Sequence, residues 1–437
     1  MAEGITRITV KGFKSIADEC SLEIRPLTIL AGANSSGKSS IMQPILMMKQ
    51  TLEAPYDPGP LLIDGPNVRF TSAEQFLSQL DGKIMGKFSM GLEAKSPLSF
   101  NETFINKPQA GMEIAEISYR NEEGITILLP DMKQEEIIAA YPPWSKICLN
   151  SFKNIMLRIE RNRCFLEVKI IYKSDEPFSE ASGWSRTFSN AILSLIHVPA
   201  LRGNPERNYK KTSVGPMFPG TFEIYAASLI SHWQATEDTR LNDLGTALEK
   251  LGLTWKVSSK KVDDVSVEVM VGRFIHGTNG NSKDLVSIAD VGFGISQILP
   301  VIVALLTAEP GQLVYIEQPE IHLHPKAQMA MAQILADAAN RGVKVVAETH
   351  SSLLLLGIQS LVAEGKLSSD NVKLHWFKRR PGDGVTEVTS ADLDKAGAFG
   401  DWPEDFSSAE MDADTRYIHA AEARLESDLC HPQNQSV

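Results

Sequence analysis

The eight residues Gly32–Ser39, "GANSSGKS", constrain this chain more than any other stretch. They match G-x-x-x-x-G-K-[ST], follow the apolar run "PLTILAGAN" (26–34), and open a helical stretch, "KSSIMQPILMMKQTLE". Glycines in such a turn let successive backbone N–H groups aim at phosphate oxygens, and the helix start adds partial positive charge. Asn34, Ser35, Ser36, Gly37 and Ser40 belong to the same cradle as Gly32. Lys38 is expected to reach the β- and γ-phosphates of ATP, and the Ser39 hydroxyl to ligate Mg2+. A strand, a phosphate loop and a helix in that order demand an α/β architecture.

The same grammar returns late in the chain. From 286 a glycine-rich turn (290–294) leads to a helix (295–307), a strand (312–317), a helix (about 325–340) and a strand (343–348). That alternation predicts a mostly parallel sheet with crossover helices. Between about 61 and 285 the pattern differs. Residues 154–172 and 263–275 read as antiparallel strands, 222–235 and 241–252 as helices, and no heptads are sustained. The expected organisation is a P-loop head from 1–55 and 285–406, an inserted α+β globular lobe at 56–284, and a polar helix and tail at 407–437.

Three further motifs carry chemistry. In "SIADVGFGISQILP" (287–300), Gly292 and Gly294 precede a helix opening with Ser296 and Gln297, a turn able to bind an anion. "LVYIEQPEIHLHP" (313–325) is an apolar strand ending in acids and a proline. "VKVVAETHS" (343–351) is a strand ending in Glu348-Thr349-His350, which places His350 where it would sense a γ-phosphate.

These elements in this order resemble the ABC ATPase heads of the SMC and RecF type, most nearly the OLD-like AAA-family ATPases of bacterial phage-defence operons. The likeness covers about 1–50 and 285–406, including "GAFGDWPEDF" (397–406); within the insertion only "HVPALRGNPERNY" (197–209) is familiar. The resemblance implies an ABC-type head that dimerises over two ATPs with Mg2+, with the 290–297 signature reaching across to a partner's nucleotide. It also implies a switch controlling a separate effector, a nuclease or toxin. The chain departs from that pattern in places. Which of Asp290, Gly292, Gly294 or Ser296 touches ATP stays open, and Gln75 is only a provisional Q-loop glutamine.

The largest departure is in the acidic strand. Leu313–Ile316 and Pro319 set a register in which Glu317 takes the magnesium-side carboxylate position and Gln318 the position of the general base. A glutamine cannot accept a proton at neutral pH, but it can orient a water. Losing a true base would cost ~10²–10⁴-fold. Glu320 is one candidate substitute, weighed equally against a loop-capping role; for Glu348 an ion pair within the sheet is the leading reading. The expectation is a slow, Mg-dependent ATPase whose closed state lives long.

Composition excludes little but helps with partners. A net charge of −11 argues against coating nucleic acid by bulk electrostatics, though not against a local basic groove; Arg202, Arg207, Lys210 and Lys211 read equally as a solvated loop or as a contact with phosphate of ATP or DNA. Four scattered cysteines, Cys20, Cys148, Cys164 and Cys430, give neither a zinc site nor a disulfide framework. His322 and His324 are more suited to loop hydrogen bonding than to zinc, and "ADLD" and "DAD" follow no apolar strand as a built-in nuclease would require. The longest apolar run (298–308) is too short to span a bilayer and contains a proline, so a cytoplasmic protein without a membrane partner is expected. The rivals to the switch reading are a RecF-like repair ATPase on duplex DNA and an ATP-locked scaffold that does not hydrolyse.

Overall fold

Strand Leu27–Gly32 is apolar for five of its six positions, and all six are buried. That is what a central strand covered on both faces requires. In the computed structural model it lies in the middle of a six-stranded sheet. The order is 196–198, 313–317, 344–349, 27–32, 372–379 and 386–391. The first five strands are parallel and only Thr386–Ala391 runs antiparallel. Residues 4–80, 82–94, 97–141, 155–172, 179–181, 184–274, 284–400, 415–422 and 424 are described.

Helices Pro325–Asn340 and Ser352–Ala363 make the crossovers between successive parallel strands. The first starts at Pro325, where a missing N–H costs nothing, and the Ser351 hydroxyl caps the second by accepting from Leu354 N–H at 3.0 Å. Helix Phe293–Thr307 is apolar almost all round and buried over Ile295–Leu305, as a core helix must be. The α/β grammar expected from the sequence is therefore present, with the phosphate loop, the acidic strand end and Thr349 at one carboxyl edge of the sheet.

The segment expected as a separate lobe is more interwoven than its sequence position implied. Strand Ile196–Val198 forms the edge of the parallel sheet beside 313–317. Strands Lys87–Glu93, Ser99–Lys107, Gly111–Asn121 and Gly124–Leu128 extend an antiparallel sheet that begins with Cys20–Glu23 and Arg7–Lys11. The boundary at 55 thus cuts through two sheets, because strand pairing ignores contiguity. Smaller antiparallel sheets form from 155–162, 165–172 and 179–181, and from 209–210, 257–261, 266–272 and 285–287. Helices Ala226–Ala235 and Arg240–Lys250 fall where helices were read. Residues 1–398 make one compact unit and 399–437 a second. Of the polar tail, 415–422 is helical, while 407–414, 423, 425–437 and residues 401–406 of the "GAFGDWPEDF" motif lie outside the described residues.

A core of phenylalanines (Phe13, Phe76, Phe88, Phe104), packed both face to face and edge to face, backs the antiparallel sheet. Beneath it sits an acid. Glu102 pairs in register with Met90 and Ile117, its side chain is fully buried, and neither carboxylate oxygen has a hydrogen-bond partner among the described residues. Burial pushes this carboxyl well above its ordinary value of 4.5. A folded-state pKa above the unfolded one means that folding takes up a proton. Stability is then fullest below pH 4.5 and is lost as pH climbs toward the folded value, at about 1.4 kcal/mol for each pH unit. Glu102→Gln should raise the urea midpoint at pH 8 and have far less effect at pH 5. An equal effect at both pH values would refute a buried neutral acid.

Candidate functional site

The site is built on the carboxyl edge of the parallel sheet. Gly37 takes φ +107°, and a Cβ there would lie 2.4 Å from Thr386 Oγ1, so the loop needs a glycine at that point. The Thr386 hydroxyl donates to Ser36 O at 2.8 Å, and Arg379 Nε donates to Ser35 O at 2.8 Å, tying the loop to the strands across the sheet. Lys38 folds back over the loop and donates to Gly32 O (3.0 Å) and Ala33 O (2.8 Å). Burial lowers its pKa, while Glu348 and Glu320 oppose the shift.

In-register pairing of parallel strands brings four side chains of the neighbouring strands together. His197 is paired with Tyr315, and Glu317 with Glu348. Tyr315 and Glu317, two residues apart, share a face, so all four face the phosphate-loop helix. The imidazole of His197 lies parallel to the Tyr315 ring at 5.3 Å between centroids. Its Nε2 is 3.2 Å from Glu317 Oε1 and its Nδ1 3.1 Å from the Asn67 amide. The second Glu317 oxygen accepts Ala200 N–H at 3.1 Å. Burial works to raise the Glu317 carboxyl, but His197, the Ala200 N–H and Arg202 together bring it below its usual value.

Among the described residues Glu348 forms no ion pair; it holds two hydroxyls instead. Its Oε2 accepts the Ser39 hydroxyl at 2.9 Å, and its Oε1 accepts the Tyr315 hydroxyl. Burial and the nearby Glu317 push its pKa up to about 7. Glu320 is turned away: its Oε1 accepts the Thr349 hydroxyl (2.7 Å) and His350 N–H (2.9 Å), fastening the loop after the acidic strand to the end of its neighbour. Burial raises its pKa as well.

Asn34 to Ser40, Glu317, Gln318, Glu348 and His350 line one cleft of about 410 Å³, together with Lys14, Gln43, Ala200 and Arg379. Glu320 is not part of this lining. Gln318 sits just past the strand with φ +47°, its N–H on Glu348 O at 2.9 Å. Burial and nearby Lys38 hold the His350 imidazole below its usual pKa, which keeps it neutral.

Gly292, Gly294 and Ser296 line no part of that cleft. A Cβ at Gly292 would meet nothing within 4 Å, Phe293 is 53% exposed, and the Ser296 hydroxyl turns inward to Phe293 O. Asp290 forms an ion pair with Arg207. Gln75 closes its own turn through Thr71 and lies outside the lining, whereas Gln43, on the first turns of the phosphate-loop helix, lies within it. His324 accepts Lys326 N–H at the start of its helix, and no cluster of metal-ligating side chains occurs among the described residues.

Reading the sequence missed His197, Asn67, Tyr315 and the true position of Arg202. Only 6% exposed, the Arg202 guanidinium donates to the carbonyls of Gln297 (3.1 Å), Glu317 (2.6 Å) and Gln318 (3.1 Å). It is thus a strut between helix Phe293–Thr307 and the acidic strand end, not a surface charge. The one available signal was an arginine directly after the apolar "IHVPAL".

Two family models match this chain. One, described as "AAA ATPase domain", covers residues 4–188; the other, "AAA domain, putative AbiEii toxin, Type IV TA system", covers 231–356. The chain is similar to AAA-family ATPase domains. Among solved structures, similar ones include an SMC head bound to the C-terminal winged-helix domain of ScpA. It is 12% identical, with 90% of this chain and 99% of that one covered at a TM-score of 0.48. The SMC head domain from Thermotoga maritima is 10% identical, covering 89% and 100% at a TM-score of 0.40. An SMC head with an extended coiled coil, bound to the C-terminal domain of ScpA derived from Pyrococcus furiosus, is 11% identical, covering 90% and 97% at 0.48. No curated protein matches significantly. The P-loop ATPase fold of the head rests on its own strand order and phosphate loop.

Proposed function

We propose that this chain is an ATP-binding, slowly hydrolysing ABC-type ATPase that closes on a second copy over ATP and switches a separate effector, a nuclease or toxin, in anti-phage defence. The observation that carries the enzymatic part is Gln318 in the cleft beside Lys38 and Ser39, where a proton acceptor would be needed for fast hydrolysis. The exposed turn at Gly292 and Phe293, outside the cleft of its own chain, supports a role for that turn on a partner's nucleotide. A match to a family model named for a toxin–antitoxin system supports the defence context. A cytoplasmic location accords with the described residues, among which no helix is long and apolar enough to cross a membrane.

The residues fit Mg2+. The Ser39 hydroxyl and the Glu317 carboxylate reach one cleft at the phosphate loop, an all-oxygen donor set suited to a hard cation that shares its shell with phosphates. When bound, the cation would neutralise charge on the transferring phosphoryl group. Lys38 would leave its two carbonyls for the phosphates, Gln318 would orient water without taking its proton, and neutral His350 would contact the terminal phosphate.

Steady-state turnover tests this reading. The wild type should turn over below about one ATP per second, the low end of enzymatic rates. Gln318→Glu should raise turnover by ~10²-fold, the lower weight of general-base catalysis. Tens of ATP per second from the wild type, or no gain from Gln318→Glu, would count against it. Gln318 equally favours a scaffold that binds ATP without hydrolysing it. A single-turnover experiment with no product formed decides for the scaffold.

A further inference from the structure

We infer that Glu348, and not the acidic-strand carboxylate Glu317, is the group that positions the Ser39 hydroxyl for the nucleotide's cation. This inference deepens the reading of the cleft as an Mg-ATP site and rests on it.

A metal-ligating hydroxyl must present a lone pair to the cation and send its proton elsewhere. The direction of that proton is therefore set by whichever acceptor lies behind the oxygen. Here that acceptor is Glu348 Oε2, 2.9 Å from Ser39 Oγ. Its other oxygen is held by the Tyr315 hydroxyl, which rises from the neighbouring strand, so the carboxylate is clamped on both sides within the sheet. Glu317 is committed in another direction. Its oxygens take His197 Nε2 and Ala200 N–H, on and just after the edge strand, so both are already engaged on that side. The two acids are cross-strand partners, so they divide the work that a single carboxylate would otherwise do. Glu317 faces the cleft from the edge-strand side. Glu348 aims the Ser39 hydroxyl from beneath.

Glu348 is thus a positioning residue, and its loss should appear in metal linkage before anything else. The experiment measures binding of a fluorescent ATP analogue to the full chain, with Mg2+ and with EDTA, for the wild type, Glu348→Ala, Glu348→Gln and Tyr315→Phe. In the wild type Mg2+ should tighten binding. Glu348→Ala should reduce that Mg-dependent gain at least tenfold while affinity in EDTA stays equal, because only the aim of the Ser39 hydroxyl toward the cation has been lost. Glu348→Gln keeps one acceptor oxygen where the carboxyl has two, and should fall between. Tyr315→Phe, which frees one side of the clamp, should lose part of the gain. A variant that is merely damaged would bind weakly in both conditions, and that result overturns the inference. So does an undiminished Mg-dependent gain in Glu348→Ala. If the wild type binds no nucleotide in either condition, the reading of the cleft itself fails, a result distinct from the other two.

Discussion

Arg202→Ala should unfold the head's active edge and give the largest loss of stability of any single truncation near the cleft. The guanidinium satisfies three backbone carbonyls at once, those of Gln297, Glu317 and Gln318, in a site where water does not replace it. Burial lowers its pKa to about 10, which still leaves it charged at neutral pH, and Glu320 and Glu317 supply the opposing charge. Removing one partner of such a buried arrangement costs about 3–5 kcal/mol, because the remaining groups stay buried and unpaired. The urea midpoint should fall accordingly, and nucleotide binding should weaken with it, since Gln318 loses the contact that holds its carbonyl. Arg202→Lys should rescue little: an ammonium is a point donor and cannot span carbonyls on two elements. An unchanged midpoint in Arg202→Ala would show that the contacts are incidental.

Lys38→Ala should do the opposite, weakening ligand affinity severely while leaving stability almost untouched. Among the described residues the ammonium donates to Gly32 O and Ala33 O, and its burial already disfavours the charged form. Truncation therefore removes a desolvated charge from the empty cleft at small cost. With nucleotide present, two charge-assisted hydrogen bonds to phosphate are forfeited, each about 1.5–3 kcal/mol. The expected outcome is at least a ~10²-fold rise in Kd for ATP by titration, with a melting temperature close to that of the wild type in the absence of nucleotide. A variant that binds ATP normally would remove the loop from the site. The two substitutions together separate the scaffold of the cleft from its contacts with ligand.

What the sequence disclosed, and what it withheld, follows the range of the interactions involved. The phosphate loop and the strands at 313–317 and 344–349 were legible because their signals are local: apolar runs, glycines and a helix start within a few residues. The clamp on Glu348 was not, since Ser39 and Glu348 are 309 residues apart and only strand register brings them together. Strand Ile196–Val198 is three residues long, too short for any periodicity to show. Between 87 and 128 the alternation breaks at a register shift beside Thr103 and Phe104, so Ile114 and Ile117 are both buried at a spacing of three. Gln75 was a reasonable sequence guess for a cleft glutamine. Gln43 lines the cleft instead, because the helix after the loop presents it there.

The strand order also has a consequence for synthesis. Leu27–Gly32 leaves the ribosome early, yet its two neighbours are 344–349 and 372–379. The antiparallel sheet, whose strands all lie before residue 129, can close while translation continues. The nucleotide cradle must wait with both edges of its strand unpaired until some three hundred more residues have been made. Such late, non-local pairing is slow and leaves apolar edges open to the wrong partner. The half-made chain therefore has a shell before it has a catalytic floor, and fragments ending before residue 344 should be the ones that need chaperones most.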